Sequence, residues 1–100
     1  MGKPKGRPKK VRVVETNPKI VQFSPRGRPG RPEEAELSLD EYEAIRLADF
    51  KRSSQIAAGK SMGVSRQTFG RILLSARKKI AEGLVSGKII RFTGGRVKIG

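Results

Sequence analysis

The sequence predicts a mainly α fold: a three-helix helix-turn-helix core with a C-terminal β-hairpin, short N-terminal strands and a disordered basic tail. Three observations carry this. Apolar residues recur at helical spacing over 38–50 and 66–84, Gly63-Val64-Ser65 interrupts a helical stretch, and a Gly94-Gly95 pair divides two alternating runs. With 100 residues, 35% of them hydrophobic, the chain can build one small core, and chains of this size gain from dimerisation.

Residues 1–10, Met-Gly-Lys-Pro-Lys-Gly-Arg-Pro-Lys-Lys, have proline and like charge but no apolar period, which predicts the disordered tail. Residues 11–37 read as an extended arm. Val11–Val14 and Ile20–Phe23 are short strands around an Asn17-Pro18 turn, able to pair as a small hairpin. Residues 24–32 are linker-like, with three prolines and two glycines.

Residues 38–87 form the helical domain. Ser38 with Glu41 fits a capping box, and Asp40, Glu41 and Glu43 suit the positive end of a helix dipole better than a catalytic pair. Leu39, Tyr42, Ile45 and Ala48 make its apolar face, broadened by Leu47 and Phe50. A second helix is predicted from Ser53 or Ser54 to about Met62. Ser65 then caps a third, whose stripe is Phe69, Ile72, Leu73, Ala76, Ile80 and Leu84, with Gly87 as its stop. Residues 88–100 are the predicted hairpin. Turning at Gly94-Gly95, it pairs Thr93 with Arg96, Phe92 with Val97, Arg91 with Lys98 and Ile90 with Ile99. Its apolar face must dock on the helices or on a second chain, because two strands alone are unstable in water.

Charge directs the functional reading. Twenty-three Lys and Arg against nine Asp and Glu give +14, distributed as +9 over 1–32, −6 over 33–49 and +11 over 50–100. Such a chain attracts polyanions, and nucleic acid leads. The absence of Cys and His removes disulfides, Cys/His metal sites and His-based triads, so no catalytic residue, metal or cofactor is expected, and no enzyme. No apolar run approaches a membrane span or a signal-peptide core, which predicts a cytoplasmic, nucleoid-associated protein.

Residues 55–74 fit a helix-turn-helix position by position. Gly59 is small where the helices cross, Gly63 allows a left-handed turn, and Met62, Val64, Phe69 and Ile72 supply apolar contacts. With Phe69 and Ile72 inward, Gln67, Arg71, Leu74 and Lys78 point outward; a Phe69 open to water would overturn this. Arg66, Gln67 and Arg71 are the predicted base-reading residues, since Arg pairs with guanine and Gln with adenine, and Gly70 allows close approach. Ser65, Thr68 and Gln55 are expected at phosphates, with Arg77 and Lys78 as outlying phosphate contacts. Leu74 is expected at a thymine methyl or a partner subunit.

The segments Leu39-Asp40-Glu41-Tyr42-Glu43-Ala44-Ile45-Arg46-Leu47-Ala48-Asp49, Met62-Gly63-Val64-Ser65-Arg66-Gln67-Thr68-Phe69-Gly70-Arg71-Ile72-Leu73 and Ser75-Ala76-Arg77-Lys78-Lys79 resemble a family of small bacterial and archaeal proteins, domain of unknown function one-hundred-thirty-four. The resemblance covers about residues 38–88 closely and the N-terminal part loosely, and implies a DNA binder with a helix-turn-helix similar to region four of sigma factors. The chain departs from the family's usual pattern at Ile56 and Ala57, where acids are usual, at Gly59, where Ala is usual, and in lacking N-terminal cysteines. Two segments, Lys5-Gly6-Arg7-Pro8-Lys9 and Pro25-Arg26-Gly27-Arg28-Pro29, resemble AT-hooks, which lay an extended Arg-Gly-Arg-Pro core in the minor groove. Arg7, Arg26, Gly27, Arg28 and Pro29 are the arm residues so implied.

The expected function is a homodimeric transcriptional regulator on double-stranded DNA. The alternatives are an architectural, nucleoid-type protein acting through charge and its arms, and a protein-interaction adaptor using the acidic block.

Overall fold

A computed structural model describes residues 11–15, 17–27, 30–95 and 97–100. The tail predicted over 1–10, with Arg7, lies outside the described residues, as do Arg28, Pro29 and Arg96. Among the described residues lie three α-helices and five short strands: β1 (Arg12–Val14), β2 (Gln22–Phe23), β3 (Glu34–Ser38), α1 (Leu39–Ile45), α2 (Gln55–Met62), α3 (Arg66–Ser86), β4 (Ile89–Thr93) and β5 (Val97–Ile99). Among the described residues no helix is long and apolar enough to cross a membrane.

Each helix starts at a serine. Ser38 Oγ and the Glu41 side chain make the reciprocal capping box, Ser54 Oγ accepts from Ala57 N, and Ser65 Oγ accepts from Thr68 N. These caps satisfy first-turn amides that lack helical acceptors. After Ile45 the chain continues as one π-helical turn, Arg46–Phe50, in which Lys51 N–H reaches back to Arg46 O at 2.8 Å. The wider turn rotates its last residues off the α-helical stripe. Phe50, expected on the apolar face, is 80% exposed.

Between α2 and α3 the chain reverses at Gly63, φ +72°, a left-handed conformation that a side chain would strain. Here Gly59 meets the turn at close range: a Cβ on it would stand 2.9 Å from Val64 O. The core is Ala44, Leu47, Ala58, Met62, Phe69, Ile72 and Leu73, with Ile45, Ala48 and Val64 packed against it. Phe69 and Met62 are fully buried. The predicted stripe of α3 holds as far as Ala76; Ile80 is half-buried, and Leu84, at the end, is exposed.

The strands differ from expectation. Among the described residues neither expected hairpin pairing is present. β4 is the centre of a three-stranded sheet, parallel to β3 (Ala35 opposite Ile90, Leu37 opposite Phe92) and antiparallel to β2 (Phe23 opposite Ile90). β5 pairs with β1 in parallel, Arg12 opposite Val97 and Val14 opposite Ile99. The run Glu34–Ser38, expected to belong to the arm and the helix cap, supplies β3. All three helices therefore lie in the crossover between parallel strands β3 and β4, the long connection that parallel pairing requires. Gly94-Gly95 is a corner over the start of α1, where Gly94 O accepts the Leu39 N–H at 3.0 Å. The pairings expected between Phe92 and Val97, Arg91 and Lys98, and Ile90 and Ile99 give way to these contacts, and the one expected between Thr93 and Arg96 lies outside the described residues.

Candidate nucleic-acid interface

The chemistry-bearing face of the molecule is built by α2, α3 and the turn between them. Burial of Phe69, Ile72, Leu73 and Ala76 fixes the rotation of α3. Gln67, Arg71, Leu74 and Lys78, spaced by one helical turn each, are consequently exposed along its opposite side. Arg66 is exposed at the first turn, which holds no acidic residue. Ser65 Oγ accepts from Thr68 N at 3.1 Å and lies 3.0 Å from Thr68 Oγ1, so the two hydroxyls fix the helix start as a unit. The amides of Arg66 and Gln67, without intrahelical acceptors, add the positive end of the dipole.

Two recesses flank this stripe. One is lined by Ser54, Gln55, Ile56, Arg66, Gln67 and Gly70. Gln55 Oε1 lies 3.4 Å from where a Cβ on Gly70 would stand, so the side chain rests across the glycine and meets the first turn of α3. The other recess is formed by Arg12, Ser38, Asp40, Glu41, Thr68, Arg71, Ile72 and Ser75. Its acids are engaged: Asp40 stands 3.7 Å from Arg12 Nε and accepts from Ser38 Oγ, and Glu41 accepts from Ser75 Oγ at 2.6 Å and Lys79 Nζ at 2.9 Å.

The structure thus brings Gln55, Ser65, Arg66, Gln67, Thr68, Gly70 and Arg71 together, with Lys78 further along the same stripe. Arg77 stands apart from that group. It makes a bidentate pair with Asp49, at 2.7 and 3.1 Å, whose hydrogen bonds hold the Asp49 carboxyl below its ordinary value. Arg26 and Gly27 are exposed in a turn after β2, with Gly27 at φ +81° in place of the extended backbone of the expected arm. The sequence reading gave no interface role to several lining residues, Arg12 and Ile56 among them. Arg12 arrives through the β1–β5 pairing, which no local pattern announces. Ile56 was legible, because it falls off the Ala58/Gly59/Met62 stripe by which α2 packs. Among the described residues no cluster of three or more Asp and Glu is arranged to hold a metal ion.

The family model described as "Protein of unknown function DUF134" matches residues 1–100. The chain belongs to the DUF134 family. The match extends past the helical segments that suggested the family and takes in the N-terminal part. Curated DUF134 relatives carry the name UPF0251 protein. The one from Prosthecochloris aestuarii is 50% identical over 93 residues, 92% of this chain and 60% of its own length. That from Methanococcus maripaludis strain C5 is 45% identical over 96 residues, 95% of this chain and 74% of the relative. That from Halothermothrix orenii is 48% identical over 94 residues, 93% and 70%. This DUF134 chain therefore spans about 60 to 74% of the relatives it matches. No solved structure matches it.

Proposed function

We propose that this chain binds double-stranded DNA as a transcriptional regulator, with α2 and α3 acting as a sigma-factor-like helix-turn-helix and α3 as its recognition helix. One observation carries the reading. The helix that buries Phe69 and Ile72 turns Gln67, Arg71 and Lys78 to solvent and begins at a capped, acid-free first turn. The groups on that face match a duplex: Arg is bidentate to guanine, Gln to adenine, and a helix N-terminus favours phosphate. Arg66, Gln67 and Arg71 read bases. Ser65, Thr68 and Gln55 hold the backbone, and Lys78 adds a phosphate contact along the stripe. Arg7 and Arg26 to Pro29 are minor-groove or phosphate arms. A core this small favours a homodimer on the nucleoid, and a two-fold symmetric site recovered by selection is its expected signature. No catalytic step is assigned to it.

Selection of bound sequences from a random duplex pool at physiological salt tests the proposal, with a defined consensus as the expected outcome. On that consensus Arg71→Ala should cost about 1–3 kcal/mol and relax preference at one position. Equal weakening on every sequence would remove Arg71 from direct readout. The net charge of +14 favours a second reading, an architectural protein held by charge and arms. It predicts no consensus and a small ratio of specific to non-specific affinity.

A further inference from the structure

Several large apolar side chains are exposed among the described residues, and two of them, Ile56 and Leu74, stand among the polar and basic residues at the start and middle of the α2–α3 face, whereas Leu84 and Val85 lie at the far end of α3. Ile56 is 60% exposed and Leu74 is 70% exposed. Ile56 lines the recess that holds Arg66, Gln67 and Gly70. Leu74 lies two helical turns beyond Gln67, on the stripe that carries Arg71 and Lys78. A single exposed aliphatic group is ordinary on any protein; the setting distinguishes these two. Arg66, Arg71 and Lys78 surround them with positive charge, which complements a polyanion and opposes a second copy of this +14 chain.

The major groove has phosphate walls and a floor of hydrogen-bonding edges on which one apolar group stands out, the thymine C5 methyl. Gln67, beside Ile56 in the recess, carries the amide that matches adenine, thymine's partner. We propose that Ile56 and Leu74 read thymine methyl groups, so that the recess selects an A·T pair with Gln67 on the adenine and Ile56 on the thymine methyl. This deepens the DNA-binding reading and rests on it.

The probe is a duplex recovered from the random pool, remade with deoxyuridine in place of thymidine at one position at a time, which removes only the methyl. The wild-type chain should lose about fourfold in affinity at the thymine facing Ile56 and about as much at the one facing Leu74, the worth of burying one methyl group. Ile56→Ala should bind the thymine and uracil duplexes alike at the first position and keep the dependence at the second; Leu74→Ala should do the reverse. The first comparison changes the DNA alone, so folding of a variant does not enter it. Equal wild-type affinity for thymine and uracil at every position overturns the proposal and leaves DNA binding standing. Failure to bind any duplex overturns the parent reading as well. A change in sedimentation of either variant with thymine dependence intact assigns the side chains to a protein contact and also overturns it.

Discussion

Glu41 and Glu43 are acidic side chains enclosed by the fold, 8% and 0% exposed. Taking an isolated carboxylate out of water costs several kcal/mol, so both need partners. Glu43 accepts from Arg46 Nε and Nη2, each at 2.8 Å, and from Glu15 N at 3.3 Å. Glu41 accepts from Ser38 N at 2.9 Å, from Ser75 and from Lys79. Burial pushes the Glu41 carboxyl up, but the bonds from Ser75, Lys79 and Ser38 outweigh it and hold the group below its ordinary 4.5. A carboxyl more acidic in the folded chain than in the unfolded one contributes stability that is complete above 4.5 and lost as pH falls through the folded value. The melting temperature should therefore hold from neutral pH down to about that point and fall below it. Glu41→Gln should melt lower at neutral pH and show a shallower acid-side decline, because Asp49 and Glu34 retain their own shares. An acid-side decline in Glu41→Gln as steep as wild type, followed by circular dichroism, would remove Glu41 from the linkage. The capping role of Glu41 was legible three residues from Ser38. Its enclosure was not, because the enclosing groups come from α3, far along the chain.

At the scale of elements, legibility follows the range of the determining contacts. Every helix start was readable because a cap closes within four residues: Ser38 with Glu41, Ser54 with Ala57, Ser65 with Thr68. The Gly63 turn was readable for the same reason. Strand positions were largely readable from alternation, but their partners were not. Ile90 and Phe92 alternate as predicted, yet they pair with Ala35 and Leu37 across three helices, and partner choice depends on where the chain returns. Phe50 left the predicted face because a π-helical turn, which the apolar period cannot reveal, intervenes. The cap of α3 is the most consequential of these elements, since it sets where the helix begins and how Arg66 and Gln67 project. Ser65→Ala should destabilise the chain by about 1 kcal/mol, read from chemical denaturation. In duplex binding it should also weaken affinity, whereas Ser65→Asp should recover stability as a cap while a new negative charge at the helix start impairs DNA affinity. Recovery of both together would show that Ser65 acts only through the fold.

Across the whole molecule, the uneven charge seen in the sequence is redistributed by folding. The acidic block at 33–49 meets cations drawn from its own helix and from α3 and β4: Glu43 with Arg46, Glu41 with Lys79, Asp49 with Arg77, Glu34 with Arg91. The exposed pairs among them, Asp49 with Arg77 and Glu34 with Arg91, add little stability, but all four decide which cations are left to face outward. Arg66, Arg71 and Lys78 stay exposed on the stripe and recess of α3, next to its acid-free start. Binding through such a face releases counterions, so log affinity should fall linearly with log salt concentration, by about a thousandfold from 50 to 200 mM if roughly six phosphates are met. Lys78→Ala should lower that slope by about 1 and weaken all sequences alike, the mark of a phosphate contact. Arg71→Ala should instead alter which sequence is preferred. Arg77→Ala, whose guanidinium is already held by Asp49, should change the slope less than Lys78→Ala does. A slope untouched by Lys78→Ala but reduced by Arg77→Ala would mean that the duplex lies across the Asp49 flank, and the face assigned to it on α3 would be wrong.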